Sequence, residues 1–355
     1  MSLVFDHVTL GQRVLFGSGR AAENLAAEVD RLGASRVMVI ASQSEHSVAR
    51  EVAAGIDVTV FHDDVAPHVP VTKADKARAA ATENAIDLLV CIGGGSTTGL
   101  AKAVALTTGL PIVAVPTTYA GSEATNVWGL TEAAHKTTGV DDAVLPATVV
   151  YDAQLTLSLP VELSVASGLN AMAHCIDSMW APRTDPINKA LASEGIRALA
   201  DGLPAIKADP HDVTGREQAQ YGAYLSAVAF ASAGSGLHHQ ICHVLGGAYD
   251  LPHAQTHATV LPYVLAFNAP AAPDAERRIA AAFGTGTASA GLNDLRVVLD
   301  APRALKDCGL DEAAIPEAVE RILPFVPDSN PRPVTSHDLE TLLLAAHSGE
   351  TPAGT

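Results

Sequence analysis

The sequence predicts two domains, an α/β domain on a parallel sheet (residues 1–158) followed by an all-helical domain (159–355). Three observations predict this. Short apolar β-branched runs alternate with helical stretches as far as Tyr151. From Pro160 onward alanine and leucine dominate at a 3.6-residue period. Five of the 14 histidines fall between positions 238 and 257, inside an apolar stretch of the second part. Such a density of imidazole needs explaining, because every buried ring nitrogen requires a partner.

Val14–Phe16, Val37–Ile40, Val58–Phe61, Leu88–Ile92, Ile112–Val115 and Val149–Tyr151 read as strands. Residues 21–32, 47–54, 72–85 and 97–108 read as the helices between them. Short continuous apolar strands separated by helices describe a parallel sheet covered on both faces. The chain of 355 residues is long enough for two cores. With 48% hydrophobic and 17% charged residues, it has the composition of a soluble globular protein.

No apolar run reaches membrane-spanning length. The start Met1-Ser2-Leu3-Val4-Phe5-Asp6-His7 lacks the basic segment and apolar core of a secretory signal, so a cytoplasmic protein is expected. A net charge of −17 argues against nucleic acid and anionic membranes as partners. Cys91, Cys175, Cys242 and Cys308 are widely scattered, which suits reduced thiols better than disulfides.

A phosphate site is expected where strand 88–92 runs into Gly93-Gly94-Gly95-Ser96-Thr97. Glycines let the backbone approach a phosphate, and the helix that follows offers free N–H groups to a pyrophosphate. Pro116-Thr117-Thr118 follows the next strand and brings two hydroxyls to the same edge of the sheet, where ligands of open α/β sheets bind. Tyr119 either lines the same pocket or packs against the strand ends. Gly17-Ser18-Gly19-Arg20-Ala21-Ala22 formally matches the dinucleotide fingerprint, but its strand is poorly placed for that role. After strand 37–40 the chain reads Ala41-Ser42-Gln43, with no carboxylate to grip a ribose hydroxyl. Discrimination between NADH and NADPH is therefore expected to be modest.

In the second domain His239 and His243 are four apart and share a helix face. Gly246 and Gly247 are expected to end that helix, and Pro252-His253 to return a third ring on the following turn. Asn170 and His174 form a matching i, i+4 pair in an upstream apolar helix. His238 and His257 read as supporting or structural residues.

Gly93-Gly94-Gly95-Ser96 with Ala101-Lys102, Pro116-Thr117-Thr118 with Gly121-Ser122-Glu123, and the two histidine helices together resemble the iron-containing alcohol dehydrogenase superfamily. The likeness runs to Asn330-Pro331-Arg332-Pro333, nearly the whole chain. It implies the dehydroquinate synthase-like fold, with an N-terminal dinucleotide-binding domain, an all-α C-terminal domain and the active site in a cleft between them. It also implies a homodimer, cofactor contacts from Gly93 through Thr97, Lys102 and Thr117 through Tyr119, and metal ligands that are one Asp and three His.

By motif those ligands fall on Asn170, His174, His239 and His253, with His243 a candidate proton donor. This chain departs from the pattern: Asn170 replaces the Asp, and Gly99 replaces an acidic residue three beyond the glycine motif. An amide is a poor ligand for Fe²⁺ or Zn²⁺, so action without metal is expected; any metal would rest on His174, His239 and His253.

These departures resemble the maleylacetate reductase branch, which uses NADH or NADPH to reduce the C=C bond of maleylacetate to 3-oxoadipate in aromatic catabolism. Such a dicarboxylate enone needs cations, for which Lys102, Lys136 and Arg183 are candidates and Lys136 is favoured. A metal-dependent alcohol or polyol dehydrogenase and a catalytically silent nucleotide binder are the competing readings.

Overall fold

The structure, a computed structural model of the chain, describes residues 4–132 and 135–352; at 135 and 136 it describes the backbone. It divides into two compact units. One is Leu10–Leu159. The other is Pro160–Thr355 together with the chain up to Thr9, so the N-terminal segment belongs with the helices and not with the sheet as expected. The His7 ring ties it there, with Nδ1 2.7 Å from the Asp185 carboxylate.

In the α/β unit the order is β1 (Arg13–Phe16), α1 (Ala21–Leu32), β2 (Val37–Ile40), α2 (His46–Val52), β3 (Val58–His62), α3 (Val71–Glu83), β4 (Leu88–Gly93), α4 (Gly95–Thr108), β5 (Ile112–Pro116), β6 (Val127–Glu132), β7 (His135–Val140) and β8 (Thr148–Tyr151). Six strands form one sheet in the order β1-β8-β5-β4-β2-β3, parallel throughout. Alternate residues of β2 feed two different cores. Val37 and Val39 pack with Leu25, Val52, Val90 and Ile92 on one face. Met38 and Ile40 pack with Ala77, Leu89, Cys91 and Leu100 on the other. Helices cover both faces, which is why the strands read as unbroken apolar runs.

The antiparallel hairpin β6–β7 is a separate two-stranded sheet that the sequence did not announce. Its strands are polar and glycine-bearing, with Gly139 opposite the Trp128 ring, and carry little β signal.

The helical unit contains α5 (Val161–Ser178), α6 (Pro186–Ala208), α7 (Val213–Ala233), α8 (Leu237–Tyr249), α9 (His253–Asn268), α10 (Pro273–Phe283), α11 (Ala288–Leu299), α12 (Ile315–Ile322) and α13 (Ser336–Ser348). α5 is buried almost all round, as expected of a helix apolar on every face. α6 and α7 approach closely where Gly202 meets the Gly215 carbonyl, a spot with no room for a Cβ.

Two expected boundaries move. α8 runs through Gly246 and Gly247 to Tyr249 and ends at Asp250, which takes the left-handed conformation at φ +53°. Glycine within a helix costs only about 1 kcal/mol, and packing of Leu237, Ile241 and Leu245 into the core outweighs it. His253 opens α9 itself, so His253 and His257 share a helix face.

The dinucleotide-like match after β1 has a structural explanation. The Asp152 carboxylate accepts from the backbone N–H groups of Gly19 (2.8 Å) and Ala21 (3.0 Å). The anion at the start of α1 is thus an internal side chain. Replacing Asp152 with Ala should cost about 1–3 kcal/mol of stability without changing the KM for the dinucleotide, measured by urea unfolding and steady-state kinetics. A large rise in that KM would show that this turn also serves the cofactor.

Candidate active site

The α/β unit forms the glycine turn at which a nucleotide is expected. β4 ends at Gly93, Gly94 caps α4, and the helix starts at Gly95, two residues earlier than expected. Glycine is required here. Gly93 has φ +153°, and a Cβ on it would lie 2.6 Å from Thr97 Oγ1; one on Gly94 would lie 3.0 Å from Thr118 Cγ2. Gly93 pairs with Pro116 in the sheet, and Thr117 N–H donates to the Gly93 carbonyl at 3.2 Å. The structure therefore brings Gly93–Ser96 together with Thr117 and Thr118, at the N-terminal turn of α4 whose N–H groups lack intrahelical acceptors.

Three other expected cofactor residues take interior roles. Thr97 is buried beneath Gly93. Tyr119 is fully buried, with its hydroxyl donating to Thr156 Oγ1 at 3.3 Å. Lys102 is 1% exposed and donates to the Thr125 carbonyl (2.7 Å), Thr125 Oγ1 (3.1 Å) and the Val127 carbonyl (2.8 Å). Burial pushes its ammonium down to about 7, and it anchors β6 instead of meeting a ligand. The side chain of Lys136 lies outside the described residues; its backbone sits on β7 opposite Thr131. Arg183 is spent on the carbonyls of Ser232 (3.0 Å) and Ala231 (3.3 Å).

The helical unit gathers the histidines. α5 carries Asn170, His174 and Asp177 at i, i+4 and i+7, all buried. α8 contributes His238, His239 and His243, and α9 His253 and His257. His174 and His239 stack with ring centroids 4.9 Å apart, and Phe230 closes on both at 4.8 and 4.4 Å. His257 sits centrally, 5.0 Å from His239, 6.4 Å from His243 and 4.4 Å from His253. The rings of His243 and His253 belong to exposed residues, whereas His174, His238, His239 and His257 are buried.

Asp177 organises this cluster, and sequence reasoning missed it. Its carboxylate lies 2.7 Å from His239 Nδ1 and accepts from Gly236 N–H at 2.8 Å and Trp180 Nε1 at 3.3 Å. A Cβ at position 236 would collide with that carboxylate. The available signal was weak: an acid three residues after His174, well inside a largely apolar helix. Burial pushes the Asp177 carboxyl up, against the pull of the surrounding N–H donors. Burial also pushes His239 well below the usual imidazole range, with His243 and His253 adding to the effect. A neutral His239 donates Nδ1–H to the carboxylate and leaves its lone pair on Nε2.

Burial holds His174, His238 and His257 down in the same way. His238 Nε2 and His257 Nδ1 bond each other at 2.9 Å. Cys242 lies beside them, 3.7 Å from His238 Nε2, with its thiol pushed well up by burial. These donors lie close enough for an ion, but a protonated thiol and two mutually bonded rings make a hydrogen-bonded wall.

The N-terminal region, residues 11–153, matches the model of the iron-containing alcohol dehydrogenases. Residues 164–347 match that of the Fe-containing alcohol dehydrogenase family C-terminal domain. The chain belongs to this family. It is 45% identical over 350 residues to a maleylacetate reductase of Pseudomonas sp. (strain P51), covering 98% of this chain and 99% of that protein. Among solved structures, an iron-containing alcohol dehydrogenase from Corynebacterium glutamicum shares 64% identity at a TM-score of 0.98, covering 99% of each chain. A maleylacetate reductase from Agrobacterium tumefaciens shares 39% at 0.94, covering 99% of this chain and 100% of its own. A sulfoacetaldehyde reductase from Bifidobacterium kashiwanohense in complex with NAD⁺ shares 25% at 0.90, covering 98% and 100%. Members of the family thus bind nicotinamide dinucleotides.

The family's description implies iron, and the donor set here can be tested against it. Asn170 Oδ1, His174 Nδ1 and His239 Nε2 are buried with no protein partner among the described residues. They suffice by number for the start of a coordination shell. They include no anionic donor, because each is neutral and the Asp177 carboxylate is committed to His239 and the backbone, which makes the set poorer in charge than one with a carboxylate ligand.

Replacing Asp177 with Asn keeps the shape but removes the charge that fixes the His239 tautomer. Turnover should fall about 10–100-fold, with NADH binding retained, measured by steady-state kinetics and dinucleotide titration. Unchanged turnover would leave Asp177 a purely structural residue.

Proposed function

We propose that this oxidoreductase uses NADH or NADPH to reduce the carbon–carbon double bond of maleylacetate, giving 3-oxoadipate, and that it does so without a metal. The observation that carries the metal-free reading is Asn170, one helical turn before a His174 that stacks on His239: a neutral set where a cation would want a carboxylate. The substrate comes from the kinship with maleylacetate reductases at 45% identity over nearly the full length.

The chemistry suits a neutral site. Held at the turn Gly93–Ser96, a dihydronicotinamide cofactor would supply a hydride to the alkene carbon β to the ketone. The π electron pair moves toward the ketone, whose oxygen takes the negative charge of an enolate. A proton then bonds to the α carbon, and the oxidised cofactor leaves. An enolate is less basic than the alkoxide formed when a simple carbonyl is reduced, so hydrogen-bond donors replace a Lewis acid. An amide at position 170 can offer N–H donors, which an ionised Asp cannot. His243 and His253, on exposed positions at the edge of the cluster, are the proton donors of this reading. The buried rings behind them remain neutral and fix their surroundings. Lys136 on the β6–β7 hairpin is kept as the cation for a substrate carboxylate.

The test is NADH oxidation with fresh maleylacetate by chelator-treated enzyme, compared with simple aldehydes. Turnover of maleylacetate at the untreated rate is expected. Turnover only after Fe²⁺ or Zn²⁺ is restored, with aldehydes reduced as well, would replace this reading with a metal-dependent alcohol dehydrogenase. His243→Ala should lower turnover about 10²–10⁴-fold while sparing NADH binding; an unaffected rate would remove His243 from the proton path.

A further inference from the structure

The loop after β2 lacks a carboxylate at 41–43, yet the fold delivers one to the nucleotide cradle from slightly further along. Glu45 ends a single 3₁₀ turn, Gln43–Glu45, just before α2. Its Oε2 accepts from Ser42 Oγ at 2.8 Å, and its Oε1 accepts from Thr117 Oγ1 at 2.6 Å. Ser42 Oγ is itself 2.9 Å from Ser44 Oγ. A Cβ on Gly93 would lie 2.5 Å from Glu45 Oε2, so glycine is what admits the carboxylate to the turn. No basic side chain pairs with it among the described residues. A carboxylate held by two hydroxyls at the mouth of an anion site requires an explanation, because an anion there opposes phosphate binding.

The sheet order suggests one. β2 leads outward to β3, whereas β4 leads the other way to β5 and β8, so the order reverses between β2 and β4. A dinucleotide on such a sheet lies across the reversal, with its diphosphate on the glycine turn and helix N-terminus. The adenosine half falls toward the neighbouring strand, whose loop in dinucleotide folds carries an acid for the ribose 2′-hydroxyl. Here the glycine turn follows β4, the neighbouring strand is β2, and its loop carries Glu45. Two of the carboxylate's lone-pair positions are engaged by Ser42 and Thr117, which fixes its orientation and leaves others to accept from a ribose.

We propose that Glu45 determines cofactor choice, accepting a hydrogen bond from the ribose 2′-hydroxyl of NADH and repelling the 2′-phosphate of NADPH. This rests on the NAD(P)H-dependent reading above, and it replaces the modest discrimination expected from Ala41-Ser42-Gln43 alone. A dianionic phosphate within a few ångströms of a fixed carboxylate is disfavoured about tenfold or more near a protein surface.

The experiment titrates full-length protein and Glu45→Gln with NADH and NADPH, following nicotinamide fluorescence, and then measures kcat/KM for both with maleylacetate. Binding needs no substrate, so it tests cofactor choice separately from the substrate assignment. The unsubstituted protein should favour NADH by about tenfold or more. Glu45→Gln should largely erase that preference, improving NADPH and weakening NADH several-fold as the charge-assisted hydrogen bond is lost, with an unchanged far-ultraviolet circular dichroism spectrum as evidence of the fold. Equal binding of the two by the unsubstituted protein would overturn the inference. So would an equal gain for both in the variant, which would place the carboxylate against the shared diphosphate. Binding of neither would overturn the cofactor reading and this inference with it.

Discussion

The hydrogen bond between His239 Nδ1 and the Asp177 carboxylate, 2.7 Å long between side chains 1% and 0% exposed, is the contact on which the histidine site depends. It links α5 to α8, chooses the tautomer of His239, and leaves the opposite nitrogen buried without a protein partner among the described residues. An isolated buried carboxylate would be costly. Asp177 is tolerable because the loop at Gly236 and the indole of Trp180 surround it with N–H groups. The same burial keeps the neighbouring imidazoles uncharged. The cluster is therefore a neutral array of donors and acceptors around one anchored acid.

That neutrality links the histidine site to the reaction. A family whose description names iron is represented here by a chain whose α5 carries a neutral pair, the amide of Asn170 and the imidazole of His174. Stabilising an enolate asks less of a site than stabilising an alkoxide, and a set of hydrogen bonds can do it. The nucleotide cradle follows from equally local causes. β4 and β5 end side by side, Gly93 and Gly94 leave room where side chains would collide with Thr97 and Thr118, and α4 begins at once.

Much of this was legible in the sequence. All six parallel strands of the sheet, the glycine turn and the pairing of Asn170 with His174 and of His239 with His243 leave periodic or compositional marks. What was missed leaves none. Asp177 is one acid among many until α5 is known to be buried on every side. Glu45 lies outside the short window read after β2, and a 3₁₀ turn brings its carboxylate back to Ser42 and Thr117. Lys102 looked like a ligand-binding cation because a lysine beside a phosphate loop usually is one; only tertiary packing shows its ammonium capped by Thr125 and Val127. The end of α8 was misplaced because core packing outweighs the weak helix propensity of Gly246 and Gly247.

The most direct test of the central claim is a ¹⁵N NMR measurement of the histidine ring nitrogens in protein labelled at histidine, followed from pH 8 to pH 5. The account predicts that His239 stays neutral across that range with its proton on Nδ1, and that Asp177→Asn destroys this preference. An imidazolium at neutral pH, or a proton on Nε2, would contradict it.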